Sequence, residues 1–68
     1  MQGRRIERIE LYVRQNTPMS GSITVHEAVS LLLDSRFYIT TEDQVRWALV
    51  RSPFWDRVEP NLYRRVGG

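Results

Sequence analysis

Six polar side chains in the second half of the chain, Gln44, Arg46, Arg51, Arg57, Arg64 and Arg65, are of the types that contact bases and phosphates. Glutamine matches the hydrogen-bonding edge of adenine, and a guanidinium grips guanine or a phosphate with two parallel bonds. All ten basic residues are arginine. That usage suits phosphate or carboxylate recognition, and GC-rich coding would produce it equally well. Interleaved with these residues are Trp47, Val50 and Trp55. Tryptophan beside arginine is the composition of a protein-interface hot spot. Two chemistries are therefore on offer, contact with nucleic acid and docking onto a protein.

Catalysis is not among them. His26 is the only histidine and there is no cysteine, so no ligand set for a metal and no nucleophile with a base can be assembled. The carboxylates Glu7, Glu10, Glu27, Asp34, Glu42, Asp43, Asp56 and Glu59 are scattered, and the glycines form no phosphate loop. The residues give no reason to expect an enzyme, a metal or a cofactor.

The elements that must position these side chains follow from periodicity and punctuation. Residues 4–15 place Ile6, Ile9, Tyr12 and Val13 on one stripe at helical spacing, and Asn16-Thr17-Pro18 ends the helix. Ile23 reads as a very short strand. Thr24-Val25-His26-Glu27 is a capping box that opens a second helix carrying Val25, Ala28, Val29, Leu32 and Leu33, which runs out near Asp34-Ser35. Residues 36–39 form the turn, with Phe37 and Tyr38 expected to cap the core. A second box, Thr41-Glu42-Asp43-Gln44, opens a third helix over 42–51 whose buried stripe is Val45, Ala48 and Leu49. Ser52-Pro53 stops it. Two aromatic-rich runs around Glu59-Pro60-Asn61 then read as a β-hairpin spanning about 54–66. A lone two-stranded ribbon is marginal in water, and Ile23 supplies the third strand. The expected fold is α+β, a three-helix winged helix-turn-helix with a small antiparallel sheet, as a single domain over 1–68 with its ordered core at about 4–66.

On that frame the third helix turns Asp43, Arg46, Trp47 and Val50 away from the core, with Gln44 and Arg51 at the flank. Gln44, Arg46 and Arg51 would meet DNA in a major groove, and Arg57, Arg64 and Arg65 would touch phosphates from the wing. Arg4 and Arg5 could add a small basic arm. The same arginines would also simply solvate a small domain and pair with neighbouring acids. Against DNA stand Glu42 and Asp43 at the helix start, where phosphates repel them, and the apolar Trp47 and Val50 on the reading face. Packing of Trp47 under the wing, against Phe54 or Tyr63, would remove the second objection.

The stretches Ile23-Thr24-Val25-His26-Glu27-Ala28, Thr40 to Leu49, Phe54-Trp55-Asp56-Arg57-Val58 and Leu62-Tyr63-Arg64 together resemble HARE-type winged helices. That group includes the amino-terminal domain of the bacterial RNA polymerase delta subunit. The resemblance runs from about Arg4 to Val66. It implies the winged fold and a place among transcription and chromatin factors, not all of which bind DNA strongly. The chain departs from the family pattern at the wing turn, where Pro60-Asn61 stands in place of the usual glycine.

Length and charge bound the rest. Sixty-eight residues with a net charge of +2 allow one small core and a mild electrostatic footprint. No apolar run approaches a membrane span and the start lacks a signal-peptide core, so no membrane partner is expected. The expected location is intracellular, in cytoplasm or nucleoid, or in a nucleus if the host has one. The first expectation is a DNA-binding winged helix, a transcription or replication accessory that grips duplex DNA with the third helix and the wing. The alternative is a winged helix that docks onto a protein of the transcription or replication machinery through Trp47, Val50 and Trp55. A homodimer burying those aromatics is a third possibility.

Overall fold

In the structure, a computed structural model describing residues 2–35 and 40–68, the element order is α1 (Gln2–Gln15), β1 (Ser22–Thr24), α2 (Val25–Asp34), α3 (Glu42–Arg51), β2 (Trp55–Glu59) and β3 (Leu62–Arg65). The expected turn at 36–39, with Phe37 and Tyr38, lies outside the described residues.

Each helix is bounded by side-chain chemistry that its sequence carries. Helix α1 ends where Asn16 Nδ2 and Thr17 Oγ1 donate to the carbonyls of Tyr12 and Val13, both at 2.9 Å. The Val13 carbonyl also accepts Asn16 N–H at 3.2 Å, the tightened last turn by which helices close, and Pro18 cannot extend the helix. Both capping boxes form. Glu27 N–H donates to Thr24 Oγ1 at 3.0 Å while Thr24 N–H donates to Glu27 Oε1 at 2.9 Å. At α3 the equivalent pair links Gln44 N–H to Thr41 Oγ1 at 3.2 Å and Thr41 N–H to Gln44 Oε1 at 3.3 Å.

The sheet order is β1-β3-β2, both pairings antiparallel. Ile23 thus becomes the outer partner of Tyr63, the third strand that the hairpin needs. A two-residue hairpin loop normally takes a turn with positive φ at its first position, which proline cannot adopt. With Pro60 there, the register instead shifts between Arg57 and Glu59, leaving Val58 as an extra residue. Such a bulge adds local twist, and so lets a proline turn close the wing.

One core joins all layers. Ile9 and Val13 of α1, Val25, Ala28 and Leu32 of α2, Val45, Ala48 and Leu49 of α3, and Trp55 and Tyr63 of the sheet are buried together. Strand alternation decides which wing residues face it. Tyr63 and Trp55 point to the helices, so Arg65 points there too, while Arg64 faces out.

Candidate interaction surface on the third helix and the wing

The outer face of α3 carries few unengaged polar readers. Gln44 holds the capping box. Arg46 is clamped: its guanidinium lies 2.8 Å from Asp43 and 3.5 Å from Glu42, and its Nε and one terminal nitrogen donate to Asn61 Oδ1 at 3.1 and 3.0 Å. Asn61 also accepts Val25 N–H on its backbone carbonyl at 2.9 Å. The asparagine at the wing tip therefore ties the hairpin to the starts of both α2 and α3. Two carboxylates against one guanidinium leave the first turn of α3 with a net charge of −1.

Beyond that clamp the face turns apolar. Trp47 is 58% exposed and Val50 59%. The alternative of Trp47 tucked under the wing is not what forms: Tyr63 is buried without it. One turn on, the exposed Arg51 guanidinium sits over the Trp47 ring, 5.7 Å from its centroid, within cation–π range.

Two sequence expectations need correction. Trp55 is a core residue, not a surface anchor: it is 7% exposed and its Nε1 donates to Glu10 at 2.9 Å. The same Glu10 oxygen lies 3.0 Å from Arg14 Nε, an ion pair without hydrogen-bond alignment, and the Arg14 guanidinium lies over the Phe54 ring at 4.1 Å. Burial of an indole is favourable only with its N–H satisfied, and Glu10 satisfies it. Arg65, expected to reach phosphates, uses its guanidinium within the fold instead. Its guanidinium donates to the carbonyls of Arg14 at 2.9 Å, Thr17 at 2.7 Å, Gly67 at 3.1 Å and Gly68 at 2.8 Å. The alternation that buries Tyr63 turns Arg65 inward onto the end of α1.

Arg57 and Arg64 remain exposed on the wing and pair with no described residue. They stand on opposite faces of the hairpin, because Arg57 lies opposite Tyr63 and Arg64 opposite Asp56. No single face therefore gathers Gln44, Arg46, Arg51, Arg57, Arg64 and Arg65. Sequence reasoning missed Glu7, Glu10 and Asn61. Between α1 and α3 lies a half-open groove of about 230 Å³, lined by Ile6, Ala48 and Phe54 with Glu7, Glu10 and Arg51 at its polar edges. Asn61, a polar side chain in the hairpin turn, was the one available signal for the Arg46 clamp.

Among the described residues no group of His, Cys, Asp and Glu side chains could hold a metal, and no helix is long and apolar enough to cross a membrane. Compared with known proteins, the chain matches no family model, no curated protein and no solved structure.

Proposed function

We propose that this domain is a binding module, not an enzyme, in which a winged helix docks onto a protein through the outer face of α3. The setting is the transcription or replication machinery, transcription being what the HARE resemblance implies. One observation carries the reading: the helix that would enter a DNA groove presents Trp47 and Val50, each more than half exposed, while its Arg46 is already paired with two carboxylates. Entering a groove would bring Glu42 and Asp43 against phosphates and offer an indole where base readers are needed. Covering Trp47 with an apolar partner surface, by contrast, is worth about 2 kcal/mol or more for a central tryptophan. Arg51 beside it offers a cation to a partner carboxylate.

A second reading, DNA binding, is favoured by Arg57 and Arg64, which are exposed on the wing without described partners. In that reading the wing, not α3, makes the phosphate contacts.

An NMR titration of the labelled domain with a short random duplex, at low and then higher salt, separates the two. Docking through α3 expects no salt-sensitive shifts at Gln44, Arg46, Trp47, Val50 or Arg51. Salt-sensitive shifts on those residues would overturn it, because phosphate contacts weaken steeply as salt rises. Shifts confined to Arg57 and Arg64 would favour the wing reading.

A further inference from the structure

We infer that the α3 face binds a second copy of this chain, with Trp47 of each copy seated in the α1–α3 groove of the other. The inference rests on the docking reading and names the partner. Each copy carries both halves of the contact. The knob is Trp47, 58% exposed on α3. The hole is the groove of about 230 Å³ floored by Ile6, Ala48 and Phe54. A cavity of that size is below the range of drug-sized ligand sites, which begin at about 300 Å³, and suits one bulky side chain. Arg51 joins the two features: it lines the groove and also lies over the Trp47 ring. Knob and hole are therefore neighbours on one surface, which an isologous two-fold contact requires, since residue i must meet j while j meets i.

Charge supplies the second argument. The groove is edged by an exposed carboxylate, Glu7, on α1 and an exposed guanidinium, Arg51, on α3. They form no ion pair within one copy. A two-fold arrangement that seats Trp47 brings Arg51 of one copy to Glu7 of the other, twice per dimer. A uniformly charged partner would be repelled by one edge of the groove, whereas a second copy offers the opposite sign at each. Val50, on the same side of α3, adds apolar area beside the axis. Glu10, by contrast, is engaged with Trp55 and Arg14 and stays a wall of the groove. The face is small, which puts the dimer among weak interfaces whose population depends on concentration.

Sedimentation equilibrium over a concentration series, paired with amide and indole NMR shifts on dilution of the same samples, tests this directly. The unmodified domain is expected to dimerise, with dilution shifts on Ile6, Glu7, Trp47, Arg51 and Phe54 and none at Arg64. Trp47→Ala should weaken association by about thirtyfold or more, as truncating a central interface tryptophan does. Glu7→Arg alone and Arg51→Glu alone should each weaken it by roughly tenfold, and the two together should restore it, since opposite charges then face each other again. The dilution shifts need no variant, so a variant that folds poorly does not rescue the idea. A monomer at every concentration would overturn the dimer, as would a dimer indifferent to Trp47→Ala or a double reversal that fails to restore association. The DNA titration does not depend on self-association, so failure of the dimer and failure of the docking reading are told apart.

Discussion

Replacing Arg65 should remove most of this domain's stability, although the residue lies in a basic pair near the end of the chain. The side chain is half-buried and donates to four carbonyls: that of Arg14 in the last turn of α1, that of Thr17 two residues beyond the helix, and those of Gly67 and Gly68. The Arg14 carbonyl also accepts Thr17 N–H at 3.2 Å, and a cation placed there is further favoured by the negative end of the helix dipole. Hydrogen bonds to charged groups contribute about 1.5–3 kcal/mol each. Taking the lower bound because the group is partly exposed, and counting only the two bonds to Arg14 and Thr17, gives about 3 kcal/mol. The bonds to Gly67 and Gly68 are left out, since ordering a glycine tail offsets most of their gain. Domains of this size hold only about 3–5 kcal/mol in total. Arg65→Met, which keeps the stem and removes the fork, should therefore lower the melting temperature by roughly 12–24 °C. Arg65→Lys keeps the charge without the planar fork and should lose about half as much. Arg64→Met, one residue away and exposed, should stay within about 0.5 kcal/mol of the parent. Urea unfolding followed by circular dichroism measures all three, with equal m-values required for the comparison. If Arg65→Met and Arg64→Met prove equally stable, Arg65 does not brace α1, and its guanidinium is again a candidate for phosphate.

Other substitutions test the local chemistry. Thr24→Ala should cost about 1 kcal/mol by removing the cap of α2, and an unaltered urea midpoint would mean that the cap contributes nothing. The Glu27 carboxyl is held below the usual carboxylate range, first by the Thr24 backbone N–H and then by the Thr24 hydroxyl side. A lowered folded pKa means stability that is present above the unfolded value and lost as pH falls through the folded one. The stability lead of the parent over Glu27→Gln should accordingly be flat near neutrality and shrink in acid, and a lead that grows in acid would reverse the assignment. Ser20 is the one described non-glycine residue with positive φ, at 67°. Ser20→Gly should raise stability by about 0.5 kcal/mol, left-handed strain of about 1 kcal/mol being partly offset by the entropy glycine brings to the unfolded chain; a loss in thermal melts would show that Ser20 is not strained. Trp55→Phe should cost about 1–3 kcal/mol by stripping Glu10 of its indole donor, and a neutral result in urea unfolding would mean water replaces it.

The fold was legible because its signals are local. Thr24 and Glu27, and Thr41 and Gln44, lie three residues apart and bond each other directly, so both helix starts could be read from type and spacing. The stripe Val45, Ala48 and Leu49 needed only helical periodicity, and Ile23 needed only the rule that a hairpin wants a third strand. The surface was less legible, since whether an arginine is available depends on which residues approach it from elsewhere. Arg46 meets Asn61 fifteen positions away, and Arg65 meets Arg14 fifty-one positions away; no window of sequence contains either pair. Part of the answer was nevertheless present. Tyr63 and Arg65 are two apart on a strand, so a buried Tyr63 already turns Arg65 inward, and reading the wing as a row of equivalent arginines overlooked that alternation. Trp55 was open to the same argument, sharing its side of β2 with the partner of Tyr63.

The Arg46 clamp gives Asn61 a physical role in the hairpin turn. A glycine at position 61 would offer no side-chain acceptor, and Arg46 would then hold only Asp43 and Glu42, both of which lie on its own helix. With asparagine there, one oxygen receives two guanidinium bonds across the gap between wing and α3. The wing tip is thereby fixed against the first turn of α3, and the cation that fixes it is withdrawn from any external phosphate. Bracing the hairpin and reading DNA with Arg46 are thus competing uses of one guanidinium. The acids Glu42 and Asp43 hold the same guanidinium and would repel a phosphate brought to it. The same side chains that tie the wing to α3 leave Trp47, Val50 and Arg51 as the part of α3 still open to a partner.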